Sequence, residues 1–298
     1  MHATTPLHAR ELAAAAAIAG AIAIAQPPHD AQHTTTQPHL RPTIDTTHRA
    51  TDALPRLLLP SALAEWLLPP TPTTPTASYK YYQAVLDRFW HTPAEANFDG
   101  GAAAAFMARH RRGAFALVAA YLALLTLLQC LPTRARFLPR LGAPSCLRTC
   151  WNASLALLSL VGFSRLLPAV ALHLLTEGLD TTLCAPEVLQ SLGAGAAGLW
   201  TWLFVLSKAI ELIDTLLLVE HGKPLTLLHV FHHSSVLAWS WHEYASASTH
   251  TFIFATLNYA AHLFMYTYFA LAEWRGAASM RRIARSTTGV QITHTGVA

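Results

Sequence analysis

Five stretches of this chain are apolar for about the length of a bilayer crossing: residues 114–131, 150–175, 195–219, 225–241 and 251–272. A run of ~20 apolar residues crosses the hydrocarbon core as a helix, because a helix bonds its own backbone groups where no water is present. The expectation is an all-α fold: a polytopic membrane helical bundle of about five spans. Composition agrees, with 53% hydrophobic and 12% charged residues. Soluble domains carry about twice that charged share. A soluble all-helical protein is the alternative, but its core would not need runs of this length.

Arginine and lysine give the bundle a direction. Arg134, Arg136, Arg140 and Arg148 lie between the first two spans, Lys223 between the third and fourth, and Arg275, Arg281, Arg282 and Arg285 after the fifth. These segments share one side if the spans alternate, and basic loops mark the cytosolic side. The loop 177–187 on the other side is acidic, whereas Arg109, Arg111 and Arg112 break the rule. The net charge of +4 is modest and basic residues do not alternate with aromatic ones, so no nucleic-acid partner is expected. Cys130, Cys146, Cys150 and Cys184 show no metal-binding spacing and no disulfide framework. No internal repeat suggests an inverted-repeat transporter.

Residues 1–77 read as a low-complexity or targeting extension. Within it the Ala-rich run 12–25 follows Arg10 and Glu11 and fits a signal or transit segment, or equally a weak helix. The stretch 32–51 has no pattern that forces structure. Residues 78–113 form an amphipathic pre-membrane segment, in which "SYKYYQAVLDRFWH" (78–91) has the spacing of a helix lying on the membrane surface. The transmembrane domain occupies 114–292, and 293–298 is a tail.

The spans are not uniformly apolar, and ionisable residues inside a span are costly unless they work or pair. The third carries "KAIELIDT" (208–215): Lys208, Glu211, Asp214 and Thr215 form one polar stripe, with Lys208–Glu211 and Glu211–Thr215 close enough to bond. The fourth carries His229, His232 and His233, which share a helix face at spacings of three and four. The fifth adds Asn258, His262, Met265, Tyr266 and Tyr268. One reading is an ion pair that only locks the bundle. A second is a metal site, since imidazole is a common ligand; but the spans hold a single HxxHH, and "HDAQH" (29–33) lies in the extension. Two irons would need more ligands. A third is catalysis by imidazole itself, as acyl acceptor or proton carrier. No cysteine accompanies the cluster, so a Cys–His condensing site is not available.

These residues resemble a known family. "KAIELIDT" resembles KxxExxDT of the very-long-chain fatty acid elongases, the ELO family, and "HVFHH" resembles its HxxHH box. "NYAAHLFMYTYF" is similar to NxxVHxxMYxYY, with Ala261 and Phe269 as departures, and "TGVQ" (288–291) to TxxQ. "WNASLALLSLVGFSR" (151–165) is similar to the family's second-span motif, with Leu158 where Phe is usual. The NAS tripeptide at Asn152 starts a cytosolic helix end and is read as packing, not glycosylation.

The resemblance implies a 3-oxoacyl-CoA synthase of the endoplasmic reticulum. It would condense a long acyl-CoA with malonyl-CoA, releasing carbon dioxide and CoA, with malonyl-CoA as co-substrate and no metal or bound cofactor. In a ping-pong order for that reaction His232 would be the acyl acceptor and His262 a second candidate nucleophile or acid–base partner, and direct attack with histidine only as a base is the rival mechanism. His229 and His233 would orient the cluster, and Lys208, Glu211 and Asp214 would support it. Asn258, Tyr266 and Gln291 complete the site. Membrane lipid surrounds the chain, and reductase and dehydratase partners would serve the rest of the elongation cycle. The family has seven spans, two of them after TxxQ, whereas this chain stops at Ala298. A truncated, non-catalytic elongase-like membrane protein is therefore the alternative function, and a His-box metal oxidoreductase a third.

Overall fold

The computed structural model describes residues 85–87, 90–130, 145–185 and 188–275. The extension 1–77, the tail 293–298, "TGVQ" with Gln291 and residues 78–84, 88 and 89 lie outside the described residues. The described elements are all helices, with no strand among them. They are α1 (Pro93–Ala96), α2 (Gly100–Arg109), α3 (Arg111–Cys130), α4 (Ser145–Glu177), α5 (Leu179–Cys184), α6 (Val188–Leu192), α7 (Gly195–Glu220), α8 (Leu227–Ala245) and α9 (His250–Arg275).

The long helices α3, α4, α7, α8 and α9 fall on the five apolar stretches. By length and composition, α3 over Arg111–Leu128 and all of α4 are long and apolar enough to cross a membrane. Helices α7, α8 and α9 bear the polar residues that converge in the bundle. Pro168 sits inside α4 without ending it. A proline removes the bond to the carbonyl four residues back. That carbonyl, on Ser164, instead receives Trp90 Nε1–H at 3.4 Å.

Helices α4 and α9 pack along one another over most of their length. Gly162 makes this approach possible, since a Cβ there would stand 2.5 Å from the Tyr259 ring. The same ring meets Phe204 edge-on, and its hydroxyl donates to the Trp200 carbonyl at 3.0 Å. Leu166, Val205, Leu237 and Ala255, fully buried, belong to the same core cluster.

Helices α1 and α2 pack into the bundle. Thr92 and Glu95 form a capping box around Pro93, which ends the preceding chain sharply. The Glu95 carboxylate then accepts Arg165 Nε–H at 2.9 Å and Trp200 Nε1–H at 2.7 Å. Burial pushes its pKa up, but hydrogen bonds from the Thr92 backbone, Trp200, Arg165 and the Thr92 hydroxyl outweigh this and hold it at about 2. Trp90 lies over the Arg165 guanidinium. Further along, Gly195 N–H bonds the Phe98 carbonyl at 3.1 Å, and Trp241 Nε1–H bonds the Met107 carbonyl at 2.9 Å. Helix α2 is thus fixed at the end of the bundle where α7 begins and α8 finishes.

Candidate active site

The polar stripe of α7 points inward and divides into two clusters. The first centres on Glu211. Its Oε1 accepts Lys208 Nζ–H at 2.6 Å and the Ser207 hydroxyl at 3.0 Å, and stands 3.5 Å from His262 Nδ1. Lys208 also donates to Asn258 Oδ1 at 2.8 Å and sits over the Phe204 ring. Lys208 and Glu211 are only 4% and 3% exposed, so their charges are neutralised inside the protein rather than by water. Asn258 enters as an acceptor in this bond, through its side-chain carbonyl.

The second cluster centres on Asp214, whose two oxygens are taken by Trp151 Nε1–H and by the Tyr266 hydroxyl, each at 2.6 Å. The Tyr266 proton is therefore committed to Asp214. Its ring meets His262 edge-on, with centroids 5.2 Å apart. This aromatic wall carries the charge pattern of α7 across to α4 and α9.

Helical spacing alone pairs Thr215 with Glu211, four residues earlier. The structure sends its hydroxyl elsewhere, to Tyr121 of α3 at 2.9 Å and to His229 Nε2 at 2.8 Å. The side chain thereby faces α3 and α8 and not the Glu211 cluster.

Helix α8 starts at an N-cap, Thr226, whose hydroxyl accepts the His229 backbone N–H. The histidines follow in its first turns. His229 and His233 rings lie 4.3 Å apart, and His232 meets His233 nearly at right angles. With His262 they line one partly open cavity of about 320 Å³, which also touches Asp214, Tyr266 and Met265. Arg148, His221, Lys223 and Glu273 line it where α4 begins and α9 ends, with Arg148 Nε bonded to Glu273 at 3.0 Å.

All four expected histidines thus meet in one space, with Lys208, Glu211 and Asn258 beside His262 and the Asp214–Tyr266 pair on one wall. Tyr268 meets the neighbouring Phe269 ring at a tilt and does not line the cavity. Gln291 lies outside the described residues. Sequence reasoning did not single out Tyr121, Trp151, Ser207 or Arg148 for the site. Trp151 stands in the quoted second-span motif, but nothing local joins it to Asp214. Among the described residues no three His, Cys, Asp or Glu side chains gather as a metal ion would need.

The sequence profile described as "ELO: GNS1/SUR4 family" matches residues 106–297. The chain is 39% identical over 142 residues to "Fatty acid elongase 2" of Trypanosoma brucei brucei, covering 48% of this chain and 52% of that protein. It is 40% identical over 125 residues to "Very long chain fatty acid elongase 6" of Drosophila melanogaster, covering 42% and 39%. It is 38% identical over 144 residues to the protein of the same name from Gallus gallus, covering 48% and 52%. The chain spans about half the length of the relatives it matches, or less. No solved structure matches it.

Proposed function

The chain belongs to the very-long-chain fatty acid elongase (GNS1/SUR4) family, and from that premise we propose that it is a 3-oxoacyl-CoA synthase. In this reading it joins a long-chain acyl-CoA to malonyl-CoA as a multi-pass protein of the endoplasmic reticulum membrane. The observation that carries the reading is the convergence of His229, His232, His233 and His262, from two helices, on one cavity beside a buried Lys–Glu pair.

The chemistry proceeds in two halves. A nitrogen of His232 attacks the acyl-CoA carbonyl, the C–S bond breaks, and CoA leaves as the thiol with the imidazole proton. The acyl group stays on His232 as an acyl-imidazole. Malonyl-CoA then loses carbon dioxide, and the carbon that keeps the electron pair attacks the acyl carbonyl. The C–N bond breaks, and a proton from solvent, passed by His262, returns His232 to the neutral imidazole. Each step passes through an oxyanion, and fixed donors stabilise charge where it develops. Glu211 supports His262 as the acid–base partner, and Lys208 holds Glu211 in place as its counter-ion.

The test is a condensation assay in membranes lacking endogenous elongase, with labelled malonyl-CoA and a panel of acyl-CoAs. Label in a product two carbons longer, absent for His232→Ala at equal expression, supports the reading. Acyl-CoA alone distinguishes the mechanisms: a competent protein that forms no covalent acyl adduct would make histidine a base only. No product from well-expressed wild type would refute condensation by this chain and leave a protein that binds acyl chains without joining them.

A further inference from the structure

The first long helix holds a residue that reaches the histidine cluster through a single intermediary. Tyr121 on α3 and Thr215 on α7 are buried, and their hydroxyls lie 2.9 Å apart. The Thr215 hydroxyl is 2.8 Å from His229 Nε2. Among the described residues Tyr121 and Thr215 make no other side-chain hydrogen bond, and His229 Nδ1 makes none to the protein.

Two hydroxyl protons must therefore find acceptors in this chain of three groups, since buried donors rarely go unpaired. Suppose Nε2 of His229 carries the ring proton and donates to Thr215. Thr215 then donates to Tyr121, and the Tyr121 proton has no acceptor. Alternatively Tyr121 donates to Thr215 as well, and the Thr215 proton has none. One arrangement satisfies both. Tyr121 donates to Thr215, Thr215 donates to a lone pair on Nε2, and the ring proton of His229 sits on Nδ1.

We infer that Thr215, which accepts from Tyr121 and donates to Nε2, fixes His229 as the Nδ1–H tautomer and so makes it a hydrogen-bond donor to the ligand in the cavity. Tyr121 and Thr215 are positioning residues: neither touches the reacting atoms in this assignment. His229 is committed by them. Its Nε2 lone pair is occupied, so it does not serve as acyl acceptor, and its Nδ1–H is the group left to meet a thioester oxygen or a carboxylate. The geometry also divides labour inside HxxHH, since the first histidine is pinned to α3 and α7 while the third packs against the rings of His229 and His232 in the cavity. The donor role of His229 rests on the proposed condensation; the tautomer does not.

The experiment reads the tautomer directly. Full-length protein with ¹⁵N-labelled histidine rings is studied in detergent micelles by NMR, with His229→Gln used to assign the His229 signals. The expected result is a protonated Nδ1 and an unprotonated Nε2 in wild type. In Tyr121→Phe, which removes one oxygen and keeps the ring, the Thr215 proton still has only Nε2 to bond, and the single form persists. Thr215→Val, which has no proton to give, mixes the two tautomers, whereas Thr215→Ser, which keeps a hydroxyl, restores the single form. In the condensation assay Thr215→Val lowers kcat about tenfold and Thr215→Ser recovers it, the scale on which losing an outer hydrogen bond that orients a metal-bound histidine lowers activity. A wild-type His229 protonated on Nε2, or a Thr215→Val spectrum identical to wild type, overturns the inference whatever the activity. A single Nδ1–H tautomer in a protein that makes no product upholds it and refutes the proposed function instead.

Discussion

Replacing Glu211 by glutamine isolates the cost of an unpaired charge in the centre of this bundle. The change keeps shape and one acceptor but removes the negative charge 2.6 Å from Lys208 Nζ. At that separation, with an effective dielectric constant of about 20, the attraction is roughly 6 kcal/mol. Desolvating the two ions costs several kcal/mol each, so the intact pair contributes little net stability. Removing one partner leaves the other's desolvation uncompensated, which costs about 3–5 kcal/mol. Asn258 still accepts from Lys208, and the substituted glutamine offers its side-chain carbonyl, so the lower end is expected. For a domain of this size that is a fall in Tm of roughly 6–12 °C. The assay is thermal unfolding of purified protein in detergent, followed by tryptophan fluorescence. The control is a double variant, Lys208→Met with Glu211→Leu, which removes both charges and is expected to lose less than Glu211→Gln alone. If Glu211→Gln lowers Tm by under about 2 °C, a third of the smallest fall expected, or the double variant is the less stable, the pair is not the electrostatic unit described.

Glu95 gives a pH dependence. Its folded pKa of about 2 lies below the ordinary value of 4.5, so the folded state favours the carboxylate. The stabilisation, about 3 kcal/mol, is complete above the unfolded value and is lost as pH falls from 4.5 towards 2. Tm measured from neutral pH down to about pH 3 should fall more steeply for wild type than for Glu95→Gln. Gly162→Ala places a methyl 2.5 Å from the Tyr259 ring and is expected to cost about 1–3 kcal/mol by overpacking, read as a lower Tm that Tyr259→Leu in the same chain partly restores. Trp151→Phe removes a donor from the Asp214 carboxylate; a loss of about 1.5–3 kcal/mol is expected in the same unfolding assay.

The helices were legible because each long apolar run is a local property of the chain, and so was the histidine face, because spacings of three and four fix a face on any helix. Arg165 and Pro168 lie inside α4 and the helix runs through both, with Glu95 bonded to Arg165 and Trp90 to the carbonyl that Pro168 leaves without its helical partner. The contacts that arrange the site were not legible. Tyr121 meets Thr215 across 94 residues, and Trp151 meets Asp214 across 63. No periodicity encodes such pairs. Spacing points Thr215 at Glu211 because only neighbours on its own helix are visible in a sequence, and a buried hydroxyl on α3 competes successfully. One readable signal lies unused in the sequence: Thr92-Pro93-Ala94-Glu95 is a capping box with proline at its first turn, and it announces α1.

The clasp formed by α1 and α2 also bears on how the protein is made. Glu95 bonds residues 70 and 105 positions later, and Met107 a residue 134 positions later. A ribosome delivers these partners in order, at ~5–20 residues per second. Glu95 therefore emerges many seconds before Trp200 exists, and Met107 before Trp241. The carboxylate waits for α4 and α7, and the Met107 carbonyl of α2 waits for α8. The earliest helices of the described chain are thus seated only after later ones, and their docking reports that α4, α7 and α8 have all arrived in register.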